Sequence, residues 1–229
     1  MEFKNYVCFK VLSALLVILF LTVMIATNKV ASAYKNTAFK VKILLDAGHG
    51  GIDCGCTGST PESVESTLNL LITKELETVL KERGFSVFLT RENDGGLYGS
   101  EEPGFKLRDL KKRVEIANKI SPDLFISVHL NKYVSIGRRG AQVFFKIADK
   151  NSKNLATKIQ NSLNLLPESK RMYDPLKGDY FLLNELAFPS VIVECGFLSN
   201  PDEEKLLLTK SYRQKLAKAI ADGVVMYLV

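Results

Sequence analysis

After residue 40 the chain alternates between short apolar runs and longer stretches of helical periodicity. Residues 41–46 (VKILLD) are an apolar run that breaks into glycine-rich turn residues, the pattern of a buried strand. Leu68, Leu71, Ile72, Leu76, Val79 and Leu80 then recur at helical spacing, predicting a helix over residues 65–83 that Gly84 terminates. Residues 85–90 read as a second strand. Residues 92–104, with Asp94-Gly95-Gly96, Gly99 and Pro103-Gly104, read as a loop. Leu107, Leu110, Val114 and Ala117 mark a second helix, residues 123–129 (DLFISVH) a third strand, and residues 141–145 a fourth. A third helix over residues 151–166, capped by Asn151 or Ser152, leads into a turn-rich stretch. A short strand is expected over residues 180–183 and a buried one over residues 190–194 (SVIVE), before closing helices over residues 201–208 and 211–228.

This order predicts one α/β domain, with a largely parallel central sheet of about six strands and helices on both faces. The chain shows no internal repeat and no low-complexity linker. Its 229 residues are enough for one substantial core.

The N-terminus follows a different pattern. Lys4 and Lys10 precede an uncharged apolar run over residues 11–26, and Val30-Ala31-Ser32-Ala33 ends it with small residues. A basic start, apolar middle and small-residue exit predict a secretory signal over residues 1–33, with an uncleaved membrane anchor as the alternative. The domain of residues 34–229 is thereby expected outside the cytoplasm. Beyond the signal, Cys54, Cys56 and Cys195 are an odd number and imply no disulfide framework; they read as small thiols. The net charge of +6 suits an anionic partner, but the basic residues form no stripe with aromatic stacking partners, which argues against nucleic acid.

The whole chain contains two histidines. His49 follows the first strand in Asp46-Ala47-Gly48-His49-Gly50-Gly51, and His129 ends the third in Ser127-Val128-His129-Leu130-Asn131. Glu194 ends the last strand, where an ionised carboxylate is costly unless paired, metal-bound or on a cleft. All three fall at the carboxyl edge of one sheet, where open α/β folds bind ligands. Two histidines and a carboxylate with an open fourth position suit catalytic zinc. From the residues alone the third ligand is Glu62, Glu65 or Glu194. A phosphate-cradling loop at residues 48–58 is disfavoured, because neither a Walker lysine–serine pair nor G-x-G-x-x-G is present. A zinc knuckle of His49 with Cys54 and Cys56 has the wrong spacing. A Cys195–His129 nucleophile pair leaves His49 and the glutamates without a role.

Four segments in order, LLDAGHGGIDCGCTG, ESTLNL, FISVHLN and VIVECGFLSNPDEEKLL, together resemble the zinc N-acetylmuramoyl-L-alanine amidases over most of residues 41–228. The resemblance implies a single α/β domain and one zinc ion per chain. It matches His49, Glu65 and His129 to the metal ligands, Glu65 standing four residues before Asn69 as the family's glutamate does, and Glu194 to the catalytic glutamate. It also puts Asn131 near substrate. Cys54 and Cys56 depart from the family's small residues. SEEPGFKLRDLKKRVEIANK and IGRRGAQVFF carry a finer likeness to the spore-cortex amidases of endospore formers, which strip stem peptides so that muramic-δ-lactam can be made. Peptidoglycan is then the substrate, and an activating or anchoring protein partner is expected, since the chain has no repeat like a wall-binding module. A non-catalytic wall-binding protein and a zinc peptidase acting on stem peptides are the alternatives.

Overall fold

The computed structural model describes residues 15–25 and 41–229. Residues 15–25 are helical with exposed side chains, and no helix among the described residues is long and apolar enough to cross a membrane. The rest of the expected signal or anchor, its exit site at Val30–Ala33 included, lies outside the described residues.

From Val41 onward the chain forms a six-stranded sheet in the order β2-β1-β3-β6-β4-β5. The strands are β1 (Lys42–Ala47), β2 (Ser86–Leu89), β3 (Leu124–Asn131), β4 (Gln142–Lys146), β5 (Leu176–Gly178) and β6 (Ser190–Phe197). β2, β1, β3 and β6 run parallel, β4 lies antiparallel to β6, and β5 is parallel to β4. The largely parallel sheet read from the sequence is therefore present. Its central strands are apolar on both faces because both are covered: Ile43, Leu44 and Leu45 of β1, Phe125 and Ile126 of β3, and Val191 and Val193 of β6 are fully buried.

The helices are α1 (Glu65–Glu82), α2 (Phe105–Ile120), α3 (Lys150–Asn164), α4 (Phe181–Glu185), α5 (Pro201–Leu208) and α6 (Lys210–Leu228). From β1 the chain crosses through α1 to β2 on one side, then returns through α2 to β3 on the other. Because such crossovers are right-handed, α1 and α2 fall on opposite faces. α1 and α3 pack against α6 on one face, burying Leu68, Ile72, Leu76, Leu155, Ile159, Leu216, Ile220 and Val224. Gly223 permits the α3–α6 crossing: a Cβ there would lie 2.5 Å from the Ile159 Cα. On the other face Ala117 of α2, with Leu182 and Leu186 at α4, packs on Leu44 and Phe125.

The structure moves three expected boundaries. Residues 181–185 are a helical turn rather than a strand, and the fifth strand lies earlier, where Leu176 pairs with Phe144 and Gly178 with Lys146. Leu182 and Leu183 are adjacent and both buried, which a helical turn under two packing surfaces permits and a strand with alternating faces does not. α3 starts before Asn151 because Asp149, not Asn151 or Ser152, is its cap and accepts from both their amides, at 2.9 and 3.2 Å. β3 and β6 run past His129 and Glu194, with a register irregularity between His129 and Asn131. β1 and β3 are neighbours whose connections diverge, so their carboxyl ends frame a topological switch point.

Candidate active site

Three side chains meet at that switch point. His49 follows β1, Glu65 opens α1, and His129 is near the end of β3. One ligand atom from each lies within 4.8 Å of the others. Glu65 Oε1 is 3.2 Å from His49 Nε2 and 3.1 Å from His129 Nδ1, and the imidazole rings stand edge to face with centroids 5.0 Å apart. Glu65 Oε2 accepts from the Cys56 amide at 2.7 Å, and Asn69, one helical turn on, donates to Oε1 at 3.3 Å. Glu62, the other candidate ligand near α1, is exposed on the preceding turn.

The backbone is shaped to make this meeting. Gly48 sits under His129, where any Cβ would come within 2.2–2.6 Å of three ring atoms. His49 itself takes the left-handed conformation (φ 62°), a strained state for a side chain with a Cβ that surrounding contacts must hold. Two buried arginines hold it. Arg91 donates to the carbonyls of Ala47, Gly48 and Ser66 at 2.8–3.0 Å. Arg113 donates to the carbonyls of Ala47 and His49 at 2.8 and 2.7 Å. Arg113 also pairs with Asp46, and with Asp109 at 2.6 Å. Burial raises the Asp46 pKa, but the Arg113 charge and the Ser127 and Thr90 hydroxyls outweigh it and hold this carboxyl below its usual range.

The cluster favours a positive charge at its centre. Burial raises the Glu65 pKa, but hydrogen bonds from His129 and His49 outweigh it and hold the group far below the ordinary carboxylate range. Burial depresses His49, yet the Glu65 and Asp53 carboxylates raise it to about 9. Glu194 faces His129 across the β3–β6 ladder. Burial, countered by His129 and reinforced by Glu65, pushes its pKa up to about 7, and its Oε2 is buried with no hydrogen-bond partner. An orphaned carboxylate oxygen beside two imidazoles and an ionised glutamate fits a divalent cation with a reactive water.

Two hollows flank the group. One, of about 140 Å³, is mostly apolar and lies over Glu194 and His129 between Leu110, Tyr180, Phe181 and Ile192. The other, of about 170 Å³, is polar and reaches His49, Asp53, Lys106 and Arg113. Larger hollows of about 370 and 410 Å³ elsewhere are lined by neither histidine nor cysteine.

The sequence of residues 43–226 matches the profile of the N-acetylmuramoyl-L-alanine amidases. The chain belongs to this family. It is 34% identical over 189 residues to the germination-specific N-acetylmuramoyl-L-alanine amidase of Bacillus subtilis, covering 81% of this chain and 78% of that one. It is 31% identical over 237 residues to the amidase AmiA of Escherichia coli, covering 84% and 78% respectively. Among solved structures, the CwlD amidase of Clostridioides difficile, determined in complex with the GerS lipoprotein, superposes with a TM-score of 0.79. That pair is 37% identical, over 82% of this chain and 98% of the other. The chain is thus an amidase that hydrolyses the bond between muramic acid and L-alanine in peptidoglycan, and the single α/β domain is that of its structural neighbours.

Asn131 is half-buried at the outer end of β3; its carbonyl accepts from the Leu198 amide at 2.8 Å, and it lines neither flanking hollow. Cys54 is exposed, Cys56 half-buried and Cys195 buried, and all three are free thiols. Burial, with the Glu65 and Glu194 charges, raises the Cys56 pKa strongly, so it stays a protonated thiol beside the amidase cluster. Reading the sequence missed Asp53, which receives His49 Nδ1 at 2.8 Å, and the Asp46–Arg113–Asp109 ion group. The signal for Asp53 was its place four residues after His49, inside a glycine turn.

Proposed function

We propose that this amidase is zinc-dependent, with His49, Glu65 and His129 holding one zinc ion and Glu194 moving the protons of the reaction. The observation that carries the reading is the buried, unpartnered Glu194 oxygen beside a His–Glu–His group. When bound, zinc supplies a Lewis acid for the scissile carbonyl and lowers the pKa of water toward neutrality. Glu194 accepts the proton of the attacking water and delivers it to the departing L-alanine nitrogen, a role that its burial at the site, with one oxygen left unpartnered, supports. The mostly apolar wall of Leu110, Tyr180, Phe181 and Ile192 lowers the local dielectric and strengthens the electrostatics at this carboxylate. Asn131, at the rim of the same sheet edge, is assigned to the substrate.

The basic start, apolar run and small-residue exit support export by a signal over residues 1–33, which is cut away or kept as an anchor, with residues 34–229 working on the wall side. The germination-specific relative and the solved lipoprotein complex support a role in the spore cortex, removing stem peptides for muramic-δ-lactam formation, and a protein partner that activates or anchors the enzyme.

Chelation followed by restoration with zinc tests the metal. The expected result is loss and full recovery of amide hydrolysis; activity that survives complete removal of metal overturns the proposal. Muramic-δ-lactam content in spores of a strain lacking the protein tests the cortex role, with a sharp loss expected and an unchanged content contradicting it.

A further inference from the structure

The turn after His49 does more than reverse the chain. Gly50 and Asp53 exchange backbone hydrogen bonds, at 2.9 and 3.2 Å, so the four residues close a tight loop. Gly50 (φ 138°) and Gly51 (φ 60°) supply backbone angles that other residues rarely adopt. A Cβ at Gly51 would lie 2.0 Å from the Tyr98 hydroxyl, which itself accepts from the Ile52 amide at 2.9 Å. This closure folds Asp53 back beneath the imidazole it follows. Its Oδ2 meets His49 Nδ1 at 2.8 Å, on the side of the ring away from Glu65. Its other oxygen, Oδ1, is 3.0 Å from the Lys106 ammonium, which comes from the first turn of α2.

We propose that Asp53, held by Lys106, is the positioning residue of the metal site: it fixes the orientation and tautomer of His49 so that Nε2 offers its lone pair beside Glu65. The inference rests on the zinc reading above. An imidazole has two nitrogens, and only the deprotonated one can bind a cation; a carboxylate that takes the Nδ1 proton as a hydrogen bond assigns the lone pair to Nε2. Nε2 is the nitrogen that faces Glu65 at 3.2 Å. Lys106 occupies the oxygen of Asp53 that the imidazole does not use, which stops the carboxylate from rotating away. The pairing is charge-assisted at both ends. It is also placed where it costs little, because Lys106 is two-thirds exposed and keeps most of its hydration. His129 has a different partner set, since its Nδ1 is the nitrogen that faces Glu65, so the dyad belongs to His49.

The experiment uses the full chain. Zinc affinity is measured by competition with a chromophoric chelator for the wild type, Asp53→Asn and Lys106→Met, together with thermal melting of each protein in chelator and hydrolysis at saturating zinc. Asp53→Asn is expected to weaken zinc binding by about 10–100-fold, the effect usual for losing a carboxylate behind a metal-bound histidine, with the melting temperature in chelator unchanged. At saturating zinc its loss falls on kcat and leaves KM as it was. Lys106→Met, on an exposed side chain that threatens no core, is expected to weaken zinc in the same direction by a few-fold. Asp53→Asn with wild-type zinc affinity overturns the inference. If Asp53→Asn does not fold, Lys106→Met decides alone, and an unchanged affinity there overturns it. A wild type that binds no zinc removes the zinc reading itself; a wild type that binds tightly beside an equally tight Asp53→Asn removes only the role of Asp53.

Discussion

Arg113 donates to the carbonyl of His49 at 2.7 Å from a position 64 residues further along the chain. A buried guanidinium on the helix that returns the chain from β2 to β3 thereby fixes the backbone of a strained histidine at the end of β1. Its charge is balanced by Asp46 and Asp109, and Asp46 in turn gathers the hydroxyls of Ser127 and Thr90 at 2.6 Å each. The ion group ties β1, β2, β3 and α2 together directly beneath the active site.

Removing Arg113 is expected to damage stability and the site at once. Arg113→Met leaves two buried carboxylates without their cation and should cost about 3–5 kcal/mol of folding free energy. It also releases the His49 carbonyl, so zinc affinity should fall in whatever fraction stays folded. Urea unfolding in chelator reads the first effect and zinc titration the second. Arg113→Lys is not expected to restore either, because an ammonium cannot serve Asp46, Asp109 and two carbonyls from one planar fork.

Gly48→Ala tests the packing under His129. A Cβ there collides with the ring, not with a flexible chain end, so the imidazole must swing out of the cluster. Loss of zinc with the overall fold retained is the expected outcome, read by metal analysis and circular dichroism. Full zinc occupancy in this variant would show that His129 is not a ligand.

Zinc binding should be linked to protons through His49. Its pKa in the protein alone is about 9, so between pH 6.5 and 9 the ring carries a proton that the metal must displace. The sign follows: apparent zinc affinity rises with pH by about tenfold per unit across that window and levels above it. Calorimetric titration in buffers of different ionisation enthalpy should show about one proton released per zinc near pH 7.5. Affinity that is flat from pH 6.5 to 8.5 would mean that His49 is already neutral.

Much of this was legible along the chain, and what was not has a physical reason. The carboxyl edge that carries Asp46, His129 and Glu194 could be read because buried parallel strands are mostly apolar runs with polar residues gathered toward that edge, although β1, β3 and β6 continue past those residues. His49, Glu65 and His129 come together in the structure, whereas the residues alone had left Glu62, Glu65 and Glu194 open beside the two histidines. The stretch around Leu182 misled because a run of four apolar residues has no period, and only the packing against Leu44 and Phe125 distinguishes turn from strand. Arg113 was hidden for a different cause. An arginine on an amphipathic helix reads as surface, and nothing in local spacing reveals that Asp46, 67 residues earlier, neutralises it.

Gly223→Ala is a stability change remote from the chemistry. The added methyl meets Ile159 backbone atoms at 2.5–2.7 Å, so α3 and α6 must part, at a cost of about 1–3 kcal/mol. A lower melting temperature with unchanged zinc affinity is expected; an unchanged melting temperature would show that the crossing is looser than it stands here.

Whether Glu194 moves protons for zinc-assisted cleavage of the muramic acid–L-alanine bond is decided by mass spectrometry of purified peptidoglycan after incubation with the zinc-loaded enzyme. The wild type should release intact stem peptides with a free N-terminal alanine. Glu194→Gln, keeping zinc and fold, should release them more slowly by about 10²–10⁴-fold. Undiminished release by Glu194→Gln would rule out its proton-transfer role, and products shortened within the stem and not freed at its alanine would rule out the amidase cleavage.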